Sequence, residues 1–565
     1  MRRNPSALVG REFDLVVVGG GICGAAAAWD ATQRGLSVAL LERGDFGAET
    51  SANSLKVVHG GIRYLQHLDL PRVRESAGER SALLRIAPHL VHPLPVLVPT
   101  FGHAMRGAEA LGAAFVLLNA LTATRNRGIP DPERRIPNAR LVSRSTVQAW
   151  HPELVVPGLT GAGLFWDGQL YNPPRLVWEF VRTAMLAGAT AANYCEVVEF
   201  LRRDRRVVGV AVSDRLTGER FDVRARVVLN AAGPFAGLLR VRGGQQAADR
   251  IPLSRDMAVV IRRPLIREHA LAVQTKYRDP DAFLSRGPRH LFVVPWRDVT
   301  LVGVNSIVYR DNPNGLTVTE AEVQGFLDEI NEAEPRFAVT PDDVGLVLAG
   351  LLPIGAEGLV ESNVSFGKRA LVVDNAKADG VDGLVTAVSN RYTTARRVGE
   401  RAVDLAFRKL GVTPPPSRSA VTPLHGGNVP SFAGLVREIA QEGGGQGFAP
   451  GVAEQLAHNH GSAYGEVLRL ARRGPGHGAT LGRTSTLAAQ VVHAVRAEMA
   501  QHLADCVFRR TDIGTAGDPG EEALAGCAAL MAEELGWSGT KTETELAEVR
   551  SRFRTGFTLS SPPAC

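Results

Sequence analysis

Cysteine is scarce: five in 565 residues, at Cys23, Cys195, Cys506, Cys527 and Cys565, with no CxxC pair. That spacing supports neither a zinc site nor a disulfide framework. Long apolar runs are absent too. No stretch of ~18 apolar residues occurs, and the opening MRRNPSALVGREFD has no apolar signal-like core. The expectation is a soluble, reduced, cytoplasmic protein, with at most a peripheral contact at the inner face of a membrane. Charge of one sign is lacking as well: 64 basic against 58 acidic residues leave a net +6. So mild an excess permits an anionic partner and gives no reason to expect nucleic acid. The 60 glycines and 33 prolines follow no period, which excludes a collagen-like chain, and no internal repeat is visible. A content of 45% hydrophobic and 22% charged residues excludes a mostly disordered chain. At ~150 residues per domain the length suggests three or four domains.

What is present begins at residues 13–35. FDLVVVGG reads as a short buried strand, and GICGAAAAWDATQRG as an alanine-built helix with Gly35 as its stop. LSVALLE is a second buried strand that ends at Glu42. Strand, helix and strand in about 30 residues open a parallel doubly wound sheet. Further strands are predicted at 196–200, 207–212, 225–229, 257–261, 291–295 and 300–304. The first two of these flank a turn at 203–205. Residues 412–431, with five prolines and two adjacent glycines, read as a linker. After it the apolar spacing becomes helical, in LVREIAQE, VAEQLAHNHG, AYGEVLRLARR, LAAQVVHAVRAEMAQHLADCVFRR and EEALAGCAALMAEELG. Thr542 and Glu545 form a capping-box pattern ahead of LAEVRSRF.

Gly19, Gly21 and Gly24 make GxGxxG between the first strand and helix. The first glycine permits the tight turn, the second lets a diphosphate reach the backbone, and the third lets helix and strand pack closely. Glu42, at a strand end, is placed to accept bonds from ribose hydroxyls. Cys23, inside the motif, reads as a packing residue. FAD is favoured over NAD by GAETSANSLKVVHGGIRYL, at 47–65, which turns from polar to basic to glycine-rich. Such a segment suits a long cofactor, and VVLNAAGPFA, at 227–236, suits a second close approach.

These residues resemble the FAD-dependent glycerol-3-phosphate dehydrogenases. KVVHGGIRYL (56–65) is similar to that family's signature after the second strand. APHLVHPLPVLVP (87–99), LNAAGP, FVVPW (292–296) and TTARR (393–397) follow in the family's order. HNHGSAYGEVL and the closing ELGWS resemble the family's helical cap. The resemblance implies noncovalent FAD and hydride transfer from a substrate C–H to flavin N5. It places Gly19, Gly21, Gly24, Glu42, Thr50, Ser51 and His59 along the cofactor, and Val197 at the adenine side. Arg63 falls on an arginine that faces the substrate. His59 stands either as a structural histidine beside the flavin or as a proton-transfer group. Thr393 is expected to cap a helix running to Leu410, closed by Gly411, and Thr393 and Thr394 to set its N-terminus towards the flavin ring.

The resemblance weakens on the substrate side. The family's KGSH is here Arg255-Asp256-Met257-Ala258, so its histidine is Ala258. GxRP is Gly350-Leu351-Leu352-Pro353, so its arginine is Leu352. GTTD becomes Gly303-Val304-Asn305-Ser306, and GGKxTT becomes Ser389-Asn390-Arg391-Tyr392-Thr393-Thr394. VDDAR becomes Tyr171-Asn172-Pro173-Pro174-Arg175. Arg63 and Arg391 remain to clamp an anion. Tyr392 is the first candidate for the base, ahead of His290, Arg255 and Tyr309.

The expected architecture is α/β. A Rossmann-like FAD-binding domain (about 1–85, 150–235 and 350–411) is interleaved with a strand-rich substrate domain (about 86–149 and 236–349). A linker at 412–430 and a C-terminal helical domain at 431–565 follow. The expected function is oxidation of a C–OH carbon in a small anionic metabolite other than glycerol 3-phosphate, with quinone or oxygen as electron acceptor. The alternatives are a glycerol-3-phosphate dehydrogenase proper, an oxygen-using tailoring oxidase of a larger metabolite, and a flavin-binding protein without turnover.

Overall fold

The computed structural model describes residues 1–102, 107–152, 158–242, 252–278, 288–354, 359–360, 363–364, 370–443, 448–474, 476–554 and 557–560. The strand Glu12–Val18 lies at the centre of an eight-stranded sheet. It pairs in parallel with Val38–Leu41 on one side and Arg220–Asn230 on the other. Leu15, Val16 and Val17 are fully buried there, worth ~1.5–3 kcal/mol each. The helix Ile22–Gln33 returns across the sheet, and Gly35, at φ +92°, ends it in the left-handed region. Its alanines let the helix Ala395–Lys409 approach closely. A β-carbon on Gly399 would lie 2.9 Å from the Ala27 nitrogen.

The second sheet has nine strands and is mostly antiparallel. Leu253–Ile261 lies one strand in from its edge, between Val299–Tyr309 and the edge strand Val344–Pro353. The expected boundaries need correction. Leu159–Leu170, inside the segment assigned to FAD binding, pairs along its whole length with Val91–Phe101 in this second sheet. Its burial on nearly every residue hides the alternation by which a strand is recognised.

The segment 412–430 is coil but not free. The Ser417 and Ser419 hydroxyls donate to the buried Asp30 carboxylate, and Leu424 N–H bonds the Ile86 carbonyl. Beyond it the chain is helical, with two departures from expectation. The stretch 487–510 is not one helix: Ala488–Glu498 stops at Met499, which adopts φ +58°. Thr542 and Glu545 do not cap a helix. The final helix Gly539–Ser551 starts earlier, with Ser538 accepting from Lys541 N–H, and Glu545 instead bonds His502 and Leu503 N–H.

Buried ion pairs fasten the helical part to the sheets. Asp45, 2% exposed, accepts from Arg509 and Arg510 at 2.7 Å each and from Asn193. Arg175 bridges Glu179 and Glu498. Such pairs are costly to break singly, because the partner left behind stays buried and charged.

Candidate functional site

A cavity of about 360 Å³ draws its walls from both sheets. Gly19, Gly21, Glu42, Thr50, Ser51, His59, Val197, Arg391, Tyr392 and Thr393 line it; Gly24, Arg63 and Thr394 do not. At one end the wall is backbone. Gly19 has φ +104°, and a β-carbon there would lie 2.7 Å from the Ala231 carbonyl oxygen. A β-carbon on Gly24 would lie 1.9 Å from the Gly19 oxygen. The turn is therefore closed to any side chain at these points, and the helix starts at the cavity wall. Ile22 N–H donates to the Ser51 hydroxyl. The Glu42 carboxylate accepts from Gly20 N–H (2.6 Å) and Gly44 N–H (2.8 Å). Burial raises its pKa, against the pull of those amides. The Cys23 thiol is pushed up to about 12 by burial, which keeps it protonated and unreactive.

At the other end the wall is built from side chains. The Thr50 hydroxyl donates to the Leu351 carbonyl (2.8 Å) and so ties the nucleotide side to the second sheet. His59 N–H donates to the Thr393 hydroxyl oxygen. That bond changes the expected cap: Thr394 is the N-cap of Ala395–Lys409, without a side-chain bond, and Thr393 holds the His-Gly-Gly turn instead. The turn is gripped from behind by Asp167, which accepts from Gly60 N–H at 2.5 Å and pairs with Arg80. Neither Asp167 nor Arg80 was expected from the sequence. His59 is pushed down to about 4, first by desolvation and then by Arg391 and Arg80, so its ring is neutral at neutral pH.

Arg391 lies over the Tyr64 ring at 4.9 Å, and Arg72 over the same ring at 5.2 Å. Arg63 stands exposed on the neighbouring turn, and its charge also bears on Tyr64. Three cations thus gather near the His59 turn. The Tyr392 hydroxyl donates to the Pro173 carbonyl (2.8 Å), and burial holds its pKa well above the ordinary value. A phenol so tied is a poor base, and Tyr392 reads as a clamp. The other candidates are off the wall. Arg255 pairs with Glu322 at 2.7 Å, the Tyr309 hydroxyl bonds Asn312, and His290 pairs across the sheet with Gln274.

Comparisons with known proteins bear on the family and the fold. The description FAD dependent oxidoreductase fits residues 14–459, and that of the C-terminal domain of alpha-glycerophosphate oxidase fits residues 417–542. Over 571 residues the chain is 31% identical to the mitochondrial glycerol-3-phosphate dehydrogenase of Mus musculus, covering 96% of this chain and 73% of that one. The chain belongs to the FAD-dependent glycerol-3-phosphate dehydrogenase family. It is also 29% identical over 558 residues to a glycerol-3-phosphate dehydrogenase of Synechocystis, across 96% of this chain and 97% of the other. The solved glycerol-3-phosphate dehydrogenase of Bacillus halodurans, complexed with FAD, superposes with a TM-score of 0.74 at 25% identity, over 97% and 96% of the two chains. This member of the family is an FAD-dependent oxidoreductase, and the glycine turn, Glu42 and the cavity fit that cofactor.

Against the glycerol-3-phosphate dehydrogenase pattern, Ala258 and Leu352 both face the cavity. Beside them stands an acid absent from that pattern and from the expected site, Asp256. Its only sequence signal was a carboxylate where the family reads glycine. Among the described residues no helix is long and apolar enough to cross a membrane. The helix Gly465–Arg473, which carries the basic stretch at 468–474, turns Val467 and Leu468 inward and pairs Arg472 with Glu442. Large exposed apolar side chains lie elsewhere, Val116 (73% exposed) and Leu117 on Ala108–Leu121 among them.

Proposed function

We propose that this protein oxidises a C–OH carbon of a small anionic substrate that is less polar around the reacting carbon than glycerol 3-phosphate. One observation carries the reading: the cavity face that should meet substrate presents Ala258 and Leu352, while Arg391 remains on the wall for an anion. FAD, when bound, supplies the hydride acceptor at N5. Gly19, Gly21, Glu42, Thr50, Ser51 and Val197 would hold it. His59, neutral and fixed by Thr393 and the Asp167-gripped turn, would meet the ring without adding charge. Arg391, with Arg63 at the rim, would orient the anionic group, since a guanidinium matches phosphate, sulfate or carboxylate in a two-pronged way. A site that has lost a histidine and an arginine disfavours a substrate that needs them.

The test is anaerobic titration of the bound flavin with phosphorylated polyols, hydroxy acids and amino acids, read as bleaching of the oxidised-flavin band. Bleaching by a hydroxy compound other than glycerol 3-phosphate is expected. Bleaching by glycerol 3-phosphate at the lowest concentration would instead make this an ordinary member of its family. A flavin that nothing bleaches would make it a binding protein. Reoxidising the reduced protein with a quinone and with oxygen then assigns the acceptor.

A further inference from the structure

Asp256 lies on Leu253–Ile261, in a row with Ser306 on one neighbouring strand and Gly350 on the other. Strand residues alternate between faces, and the neighbours of Asp256 obey this. Arg255 turns away to Glu322 and the Thr317 carbonyl, and Met257 is part of the core beneath the helix Glu320–Ala333. Asp256 shares the cavity wall with Ala258, Val304 and Leu352. Gly350 leaves a gap beside it, filled from the nucleotide side by Thr50. The acid thus stands where the two sheets meet.

Its partners leave its charge unspent. The Ser254 hydroxyl donates to it at 3.0 Å, and the Ser306 hydroxyl bonds it as well. Among the described residues, burial and these two hydroxyls set its ionisation, and no cation does. The other cavity-wall carboxylates with named partners are committed: Glu42 to two backbone amides, Asp45 to Arg509 and Arg510, Glu49 to Arg43, Glu196 to Arg215.

We propose that Asp256 is the proton acceptor of the oxidation, on the face where the histidine of the family pattern is alanine here. The proposal rests on the reading that a C–OH bond is oxidised. The substrate hydroxyl gives its proton to the Asp256 carboxylate, and the hydride on the same carbon leaves for the flavin. The C–O single bond becomes C=O; two electrons end on the flavin and one proton on Asp256, which releases it when product departs. Burial pushes this carboxyl up to about 6, against the two hydroxyl bonds. It is therefore mostly ionised at neutral pH, yet more basic than His59, which is held at about 4.

The experiment compares wild-type holoprotein with Asp256→Asn and Asp256→Glu. The probe is whichever panel compound bleaches the flavin fastest. In the wild type the rate of flavin reduction should rise with pH through about 6. In Asp256→Asn it should fall ~10²–10⁴-fold and lose that step, with FAD content and compound affinity nearly unchanged. Asp256→Glu should recover part of the rate. Infrared difference spectra of the holoprotein give a readout apart from turnover: a carboxyl band that titrates near 6 in the wild type and is missing from Asp256→Asn. A band titrating near the ordinary aspartate range overturns the proposal, even if Asp256→Asn folds poorly. Equal reduction rates in wild type and Asp256→Asn overturn the proton-transfer role alone. A flavin that no compound bleaches overturns the functional reading, and this role with it.

Discussion

At the nucleotide end of the cavity the wall is backbone, and at the substrate end it is the face of a sheet. Gly19 and Gly24 leave no space for a β-carbon, and Glu42 bonds two main-chain amides. Change at that end moves the chain itself. At the other end Asp256, Ala258 and Leu352 project from strands whose pairing with one another runs through main-chain atoms. Those side chains can be exchanged while the sheet stays as it is. The two ends therefore differ in how freely chemistry can change without loss of fold, and the departures from the family pattern fall where change is cheap.

The largest expected effect breaks the backbone end. Gly24→Val drives a side chain into the Gly19 carbonyl; it should cost ~3 kcal/mol or more and leave the protein nearly without FAD, read as the flavin-to-protein absorbance ratio. A variant that keeps its FAD would erase the contrast between the ends. Arg391→Ala should act on the sheet-face side only. Loss of a charged hydrogen bond of ~1.5–3 kcal/mol should weaken substrate binding ~10–100-fold, seen in KM, with FAD content unchanged. The smallest effect sharpens the comparison. Leu352→Arg together with Ala258→His should raise flavin reduction by glycerol 3-phosphate by about tenfold at most, since Asn305 and Ser306 still differ from the family pattern. Loss of the fold in this pair would show that the sheet face is not freely exchangeable.

The same division decides what could be read in the sequence. The opening strand, helix and strand, the glycine turn and the stops at Gly35 and Gly411 depend on neighbours a few residues away. Their signals are local, so they are legible. The substrate face depends on register. Arg255 was a candidate base and Asp256 was not, yet one step along a strand reverses the face. In the same way the lost carboxylate at position 306 was visible, but its gain on the facing strand at 256 was not. Only pairing sets the two positions side by side. Thr393 carries the right chemistry for a helix cap, but its hydroxyl oxygen goes to His59 N–H, a partner 334 residues away. Tyr392 has the right position beside Arg391, but its hydroxyl is spent on a main-chain carbonyl.

Asp45 belongs to two structures at once. It stands on the cavity wall, and its carboxylate is the anchor on which Arg509 and Arg510 fasten the helical part. An occupant of the cavity and the C-terminal helices thus bear on one side chain from opposite directions. Coupling between two such binding events is reciprocal: the free energy by which seated helices tighten the hold on FAD equals that by which FAD tightens their seating. To the extent that an occupant of the cavity bears on Asp45, cofactor retention and the docking of these helices are linked through that one side chain.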